Sequence, residues 1–253
     1  MKLWDETVSK AKVRLYMDVP LNGGAVITPS ADDAHYMLKV MRMGVGDHVA
    51  LFNGKDGEWL AAITQASKKS LTLTANEQLR PQKNDLDVWL VFAPIKKARL
   101  DFIAQKATEL GVSGIRPVMT RRTNVGRLKD DRIWANAKEA AEQCERLTVP
   151  EVMPACALDE LLANWDPARK LMFCDEELSG SAAHNALQKV SRKGLAGPWA
   201  ILIGPEGGFD DEERALIRKQ PYAVPVHLGP RILRADTAAI AALSIWQVAL
   251  GDW

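Results

Sequence analysis

Cysteine is scarce: three in 253 residues, Cys144, Cys156 and Cys174, far apart and without a CxxC pair. That pattern excludes a disulfide framework and a zinc ribbon, and it fits a reducing compartment, the cytoplasm. Histidine is nearly as sparse. His35, His48, His184 and His227 show no HExxH or other ligand spacing, so no metal is expected. Long apolar runs are also missing. The opening MKLWDETVSKAKVRLYM carries no apolar signal-peptide core. The most apolar stretch, 238–250, is interrupted by Ser244 and Gln247 and is too short to span a bilayer, so no membrane partner is expected. Net charge is close to nil, 33 Lys and Arg against 32 Asp and Glu, so any nucleic-acid surface must come from local clusters. Neither GxxxxGK[ST] nor GxGxxG occurs, which argues against an α/β enzyme built for another nucleotide.

What is present suits a globular protein with a sizeable core: 47% hydrophobic and 26% charged residues over a length that allows one large or two smaller domains. Residues 13–17, 47–52, 59–65 and 70–76 read as short strands, separated by the turn chemistry of Asn22-Gly23-Gly24, Asn53-Gly54 and Lys55-Asp56-Gly57. One helix, starting near Ser30, interrupts them, and the set predicts a small β-barrel over 1–80. After a linker at 81–85 the pattern changes to alternation. Strands are predicted at 87–95, 170–174, 199–203 and 224–228. Helices are predicted from Leu100 to Gly111, from Ile133 to Cys144, and over 181–190, 210–219 and 235–250. Alternation of this kind predicts an α/β fold over 81–253, with a parallel sheet covered on both faces.

Ligands of open α/β sheets sit beyond the C-terminal ends of the strands. After Ile95 come Lys96, Lys97 and Arg99, cations at a helix N-terminus that oppose its dipole, either an anion site or a solvated helix end. Arg116, Arg121, Arg122, Arg127 and Lys129 follow the next strand candidate, a phosphate-contacting stretch or a surface loop. After Ile203 comes Gly204-Pro205-Glu206-Gly207-Gly208, a tight path whose backbone can approach a ligand, leading to Asp210 and Glu213 in capping-box spacing. A plain strand–turn–helix connection explains the cap but not Glu206 between the glycines. After Leu228 comes a second turn, Gly229-Pro230-Arg231-Ile232-Leu233-Arg234, leading into an alanine-rich helix. Arg231 and Arg234 lie among apolar residues and need partners.

The two turns together resemble the cofactor motifs of the knotted SPOUT methyltransferases. The closer resemblance is to the family that methylates N3 of uridine 1498 in 16S ribosomal RNA, with GPEGG after one strand and LGxRILRxETA after the next. Three further stretches match in order: His35 to Arg42 with Gly46-Asp47, Gln105 to Val112, and Glu139 to Arg146. This chain departs from the pattern at Ala235 and Asp236, where a hydroxyl is lost and a carboxylate shortened, and mildly at Met41.

The resemblance implies a C-terminal trefoil-knotted SPOUT domain over 81–253 and a PUA-like N-terminal barrel over 1–80 that helps to bind RNA. It implies S-adenosylmethionine as cofactor, a homodimer, and 16S RNA in the small ribosomal subunit as partner. Carried onto this sequence, the cofactor would be held by Ile203, Gly204, Pro205, Glu206, Gly207, Gly208, Leu228, Gly229, Ile232, Leu233 and Thr237. RNA would be met by His35, Arg42, Lys96, Lys97, Arg121, Arg122 and Arg231. Arg234 is the candidate for stabilising the uridine imide anion, with Arg231 as its alternate. Glu206 is a candidate to accept the N3 proton, or else to fix its loop by bonding backbone amides. The competing expectations are a SPOUT enzyme acting on another RNA and a non-enzymatic RNA-binding assembly protein.

Overall fold

The computed structural model describes residues 11–67, 70–124, 128, 130–177, 180–191 and 197–253, the side chains of Lys97 and Ser191 excepted. The chain divides into two compact units, Met1–Asn84 with Ala141–Val149, and Asp85–Ala140 with Pro150–Trp253.

The first unit holds β1 (Ala11–Tyr16), β2 (Val26–Ile27), α1 (Ala31–His35), β3 (His48–Phe52), β4 (Glu58–Ala66) and β5 (Leu71–Arg80). They form a five-stranded sheet in the order β1-β3-β4-β5-β2. Among the described residues β1 and β3 pair in parallel, and the β3–β4, β4–β5 and β2–β5 pairs are antiparallel. Alternate apolar residues of these strands meet Met37 in one core with Leu15, Val49, Leu51, Ile63 and Leu73. Ser30 caps α1 by accepting the Asp33 N–H at 3.1 Å. The helix widens into a π-helical turn, Tyr36–Val40, and the chain leaves it through Arg42 at φ +54°.

Segment 141–149 groups with this unit, and the contacts explain why. Glu58 is buried and takes ion pairs from Arg14 and, at 2.7 Å, from Arg80. Arg14 lies 3.8 Å over the Phe52 ring and donates to the carbonyls of Ala141, at 2.7 Å, and of Arg146. Arg80 donates to the Glu145 carbonyl at 3.0 Å. Charge-assisted bonds of this kind satisfy both the buried carboxylate and the carbonyls of an irregular segment.

The second unit begins with β6 (Val88–Phe92), α2 (Lys97–Glu109), β7 (Gly114–Met119), α3 (Asp130–Gln143, its end from Ala141 falling to the first unit), β8 (Glu151–Val152), β9 (Cys156–Ala157) and α4 (Leu158–Ala163). It continues with β10 (Lys170–Cys174), β11 (Ser181–Ala182), α5 (Ala183–Ser191), β12 (Trp199–Ile203), α6 (Asp211–Arg218), β13 (Ala223–His227) and α7 (Ala235–Leu250). The sheet runs β11-β13-β10-β12-β6-β7-β8, with β9 on β7, and every pair is parallel. All five residues of β12 are buried, as a central parallel strand requires. Helix α7 packs on α2, α5 and β12. It is pinned by buried Gln247, whose side-chain amide donates to the Leu110 carbonyl at 2.7 Å.

The structure departs locally from the sequence reading. Arg116 lies inside β7, not after it, and its guanidinium reaches toward Met153. The short helix α4 was not anticipated: it has no side-chain cap, and only the burial of Leu158, Leu161 and Leu162 marks it. Arg127 and Lys129 lie outside the described residues.

Candidate active site

Three adjacent strands, β13, β10 and β12, end side by side, and the residues that leave them enclose a cavity of about 390 Å³. Strand β10 contributes its last residue, Cys174, and the chain leaving it contributes Asp175 and Glu176. The turn after β12 contributes Ile203 through Glu206 and Gly208, and the turn after β13 contributes Leu228 through Ala235. Arg99 and Ala238 complete the wall. The position, beyond the carboxyl ends of parallel strands, is where open α/β sheets bind ligands, and the volume falls in the usual range of about 300–1,000 Å³.

The first turn is stiffened from several sides. Phe209, fully buried, sits beneath Gly204 and meets Phe173 edge-on at 5.2 Å; a Cβ on Gly204 would stand 2.6 Å from its ring. Gly208 takes φ +69°, and a Cβ there would overlap the Glu176 carboxylate. Asp210 accepts the Glu213 N–H at 2.8 Å while Glu213 accepts the Asp210 N–H, closing a capping box at the start of α6. The Glu213 bond, reinforced by Arg121, holds the Asp210 carboxyl below the usual carboxylate range. Glu213 also accepts the Arg121 N–H at 2.7 Å.

The β10 wall is fixed by buried ion pairs. Arg214 reaches Asp175 at 3.1 Å and Glu176 at 2.6 Å, and Arg218 also pairs with Asp175. Cys174 is no nucleophile here, since burial, then the neighbouring Asp175, pushes its thiol far above the ordinary range.

Most of the sequence-predicted cofactor residues meet at this cavity: Ile203, Gly204, Pro205, Glu206 and Gly208 from one turn, Leu228, Gly229, Ile232 and Leu233 from the other. Gly207 and Thr237 do not line it. Glu206 bonds Arg99 at 2.8 Å, so its carboxylate holds a guanidinium, where one of the two alternatives read from the sequence had it bonding backbone amides. Arg231 and Arg234 both line the cavity, both are exposed, and neither side chain has an ion-pair or hydrogen-bond partner among the described residues. The partners that the sequence reading required of them are absent because both side chains stay in solvent.

Arg121 and Arg122 are committed to the first turn and α6: Arg121 pairs with Asp210 at 2.9 Å and Glu212 at 2.5 Å, and Arg122 donates to the Gly207 carbonyl at 3.0 Å. Lys96 is the exposed N-cap residue of α2. The Lys97 side chain lies outside the described residues. His35 and Arg42 are exposed in the first unit. The sequence reading missed the Asp175–Glu176 wall, although both residues directly follow a predicted strand, where the strand-end rule points. Among the described residues no three His, Cys, Asp or Glu side chains group to hold a metal ion. No helix among them is long and apolar enough to cross a membrane.

A parallel α/β domain whose glycine turns wrap a cavity at the strand ends is built to bind a small ligand through backbone groups. Residues 82–247 match the family described as RNA methyltransferase domain, and residues 29–75 match the RNA methyltransferase PUA domain. The chain belongs to this family of RNA methyltransferases and is an enzyme. It is 32% identical to the ribosomal RNA small subunit methyltransferase E of Rickettsia conorii, covering 91% of this chain and 93% of that one. A putative methyltransferase of Legionella pneumophila, solved with bound S-adenosylmethionine, superposes with a TM-score of 0.83 at 30% identity, covering 94% and 97% of the two chains. The ribosomal RNA small subunit methyltransferase E of Neisseria gonorrhoeae, also bound to S-adenosylmethionine, superposes with a TM-score of 0.82 at 28% identity, covering 95% and 99%.

Proposed function

We propose that this enzyme transfers a methyl group from S-adenosylmethionine to N3 of a uridine, position 1498 of 16S RNA in the small ribosomal subunit, in the cytoplasm. The observation that carries the reading is the cavity at the ends of β13, β10 and β12, walled by two glycine turns. The cavity fits the cofactor. Gly229, at φ +118°, has no atom within 4 Å of where a Cβ would be, which leaves a backbone cradle open on the wall. Ile203, Gly204, Pro205, Glu206, Gly208, Leu228, Gly229, Ile232 and Leu233 would hold it. When bound, its sulfonium supplies an electrophilic methyl group.

The chain's own task is to bring the base in line and to favour loss of the N3 proton. Arg234 has a guanidinium at the cavity wall without a partner among the described residues, and so it can stabilise the imide anion. Arg231, also without one among them, takes a flanking phosphate. Glu206 anchors its loop through Arg99, and its second oxygen is the candidate proton acceptor.

In this reading residues 1–80 form a PUA-like barrel and 81–253 a trefoil-knotted SPOUT domain, whose last strand, turn and helix thread the chain. His35, Arg42, Lys96 and Lys97 meet RNA phosphates, and Arg121 and Arg122 serve RNA binding through the loop they brace. The target base must leave its stack to reach the cavity. A homodimer accords with the exposed apolar side chains of Ile232, Val248 and Trp253.

The reading is tested by calorimetry with S-adenosylmethionine and by methylation of undermodified small subunits. Arg234→Ala should bind the cofactor as wild type does and lose roughly 100-fold or more in kcat, as removal of an anion-stabilising donor does. Wild-type rates would remove Arg234 from the chemistry, and a wild-type protein that fails to bind S-adenosylmethionine would overturn the whole reading.

A further inference from the structure

Arg99 joins the two glycine turns. It is the third residue of α2, a helix whose N-cap, Lys96, contributes no side-chain cap and whose first turn has no acidic residue. A guanidinium there opposes the helix dipole and needs anions from elsewhere. Two are at hand. Its Nη1 donates to Glu206 Oε1 at 2.8 Å, and its Nε stands 3.8 Å from Asp236 Oδ2. Glu206 belongs to the turn after β12. Asp236 is the second residue of α7, directly after the turn that follows β13. Arg99 itself lines the cavity. Among the described residues three guanidinium groups line that wall; this one is spent on protein carboxylates while those of Arg231 and Arg234 have no partner among the same residues.

We propose that Arg99 is a positioning residue for methyl transfer, holding Glu206 and Asp236 together and so setting the spacing of the two turns around the cofactor. This rests on the reading of the cavity as the S-adenosylmethionine site. The planar fork of an arginine serves two carboxylates at once; a lysine ammonium is a point charge that serves the nearer one. The Asp236 arm, at 3.8 Å, is the loose one, and a carboxylate one methylene longer closes that gap.

The test is calorimetry with S-adenosylmethionine together with steady-state methylation of small ribosomal subunits, each variant checked for its melting midpoint. Arg99→Gln should raise Kd and KM for the cofactor about three- to tenfold, the reach of two partly exposed ion pairs, and Kd measured without RNA decides, because Glu206 freed of its partner also bears on kcat. Arg99→Lys should recover part of the loss, and Asp236→Glu should lower KM. Glu206→Gln should cost less affinity in the Arg99→Gln background than in the wild type, because the pair is already broken.

Unchanged Kd and KM in Arg99→Gln would overturn the proposal. A fall in kcat at unchanged Kd would overturn it too, by placing Arg99 on the RNA or the chemistry. If Arg99→Gln does not fold, wild-type KM in both Arg99→Lys and Asp236→Glu would overturn it. Failure of the wild-type protein to bind S-adenosylmethionine is a separate result, which refutes the site and not the role of Arg99 within it.

Discussion

Replacing Gly208 by alanine tests how the first turn is held. Its φ of +69° costs an L-residue about 1–2 kcal/mol. The new Cβ would also overlap Glu176 Oε1, the atom that accepts from Arg214 at 2.6 Å, so Glu176 must swing away from a nearly buried guanidinium. A charge-assisted bond of that kind contributes roughly 1.5–3 kcal/mol, of which the remaining partners of Arg214, Asp175, Glu177 and Asp211, recover part. The sum is about 2–4 kcal/mol, on the order of 5–10 °C in the melting midpoint of a chain this long. Thermal melts of Gly208→Ala, with and without Glu176→Ala, separate the two contributions. In the Glu176→Ala background the overlap is gone and the increment should shrink to the backbone strain of about 1–2 kcal/mol. Equal increments in both backgrounds, or a Gly208→Ala melt identical to the wild type, would refute the close approach of Gly208 to Glu176.

Three further outcomes are expected. Phe209→Ala should cost about 3–5 kcal/mol in denaturant unfolding and weaken cofactor binding, because its ring fills the space beneath Gly204 and against Phe173; full stability would contradict that packing. Glu58→Ala, which leaves Arg14 and Arg80 facing each other's charge, should destabilise by about 3–5 kcal/mol, with an unchanged urea midpoint as the contrary result. Asp210→Asn should remove an acid-side dependence of stability. The folded carboxyl of Asp210 lies below its unfolded value of about 3.9, so its contribution is present above that pH and is lost as pH falls through the folded value. The gap between wild type and variant should therefore be constant near neutrality and narrow below about pH 4, and a gap that widens in acid would show the sign to be wrong.

How much of this was legible in the sequence follows from how local each feature is. Strand β12 and helix α7 were read with their observed bounds, 199–203 and 235–250, because one is a continuous apolar run and the other an uninterrupted alanine-rich stretch after a proline-bearing turn. The capping box at Asp210 and Glu213 was legible for the same reason: both halves lie within one turn of helix. The order of the sheet was not, since which strand neighbours β10 is decided by packing across the unit. That order makes the site, because it sets the Asp175–Glu176 wall between two turns that are distant in sequence. The commitment of Arg121, Arg122 and Arg99 to the first turn was invisible for a related reason. Their partners lie 85 to 107 residues away, and a basic stretch in sequence looks alike whether it faces phosphate or a neighbouring carboxylate. Arg14 read only as part of a strand and Arg80 fell beyond the strand predicted at 70–76, yet they hold the carbonyls of the Glu139 to Arg146 stretch, which the sequence marked without a reason.

The central claim is that the cavity between the two glycine turns delivers a methyl group to one uridine of small-subunit RNA. The direct measurement is to incubate the enzyme with methyl-labelled S-adenosylmethionine and small subunits from cells lacking this modification, then to map the label by nucleoside mass spectrometry. The expected product is a single N3-methyluridine, at position 1498 of 16S RNA, lost in Arg234→Ala. Label on another base or another RNA, or none with a wild-type protein that binds the cofactor, would contradict it.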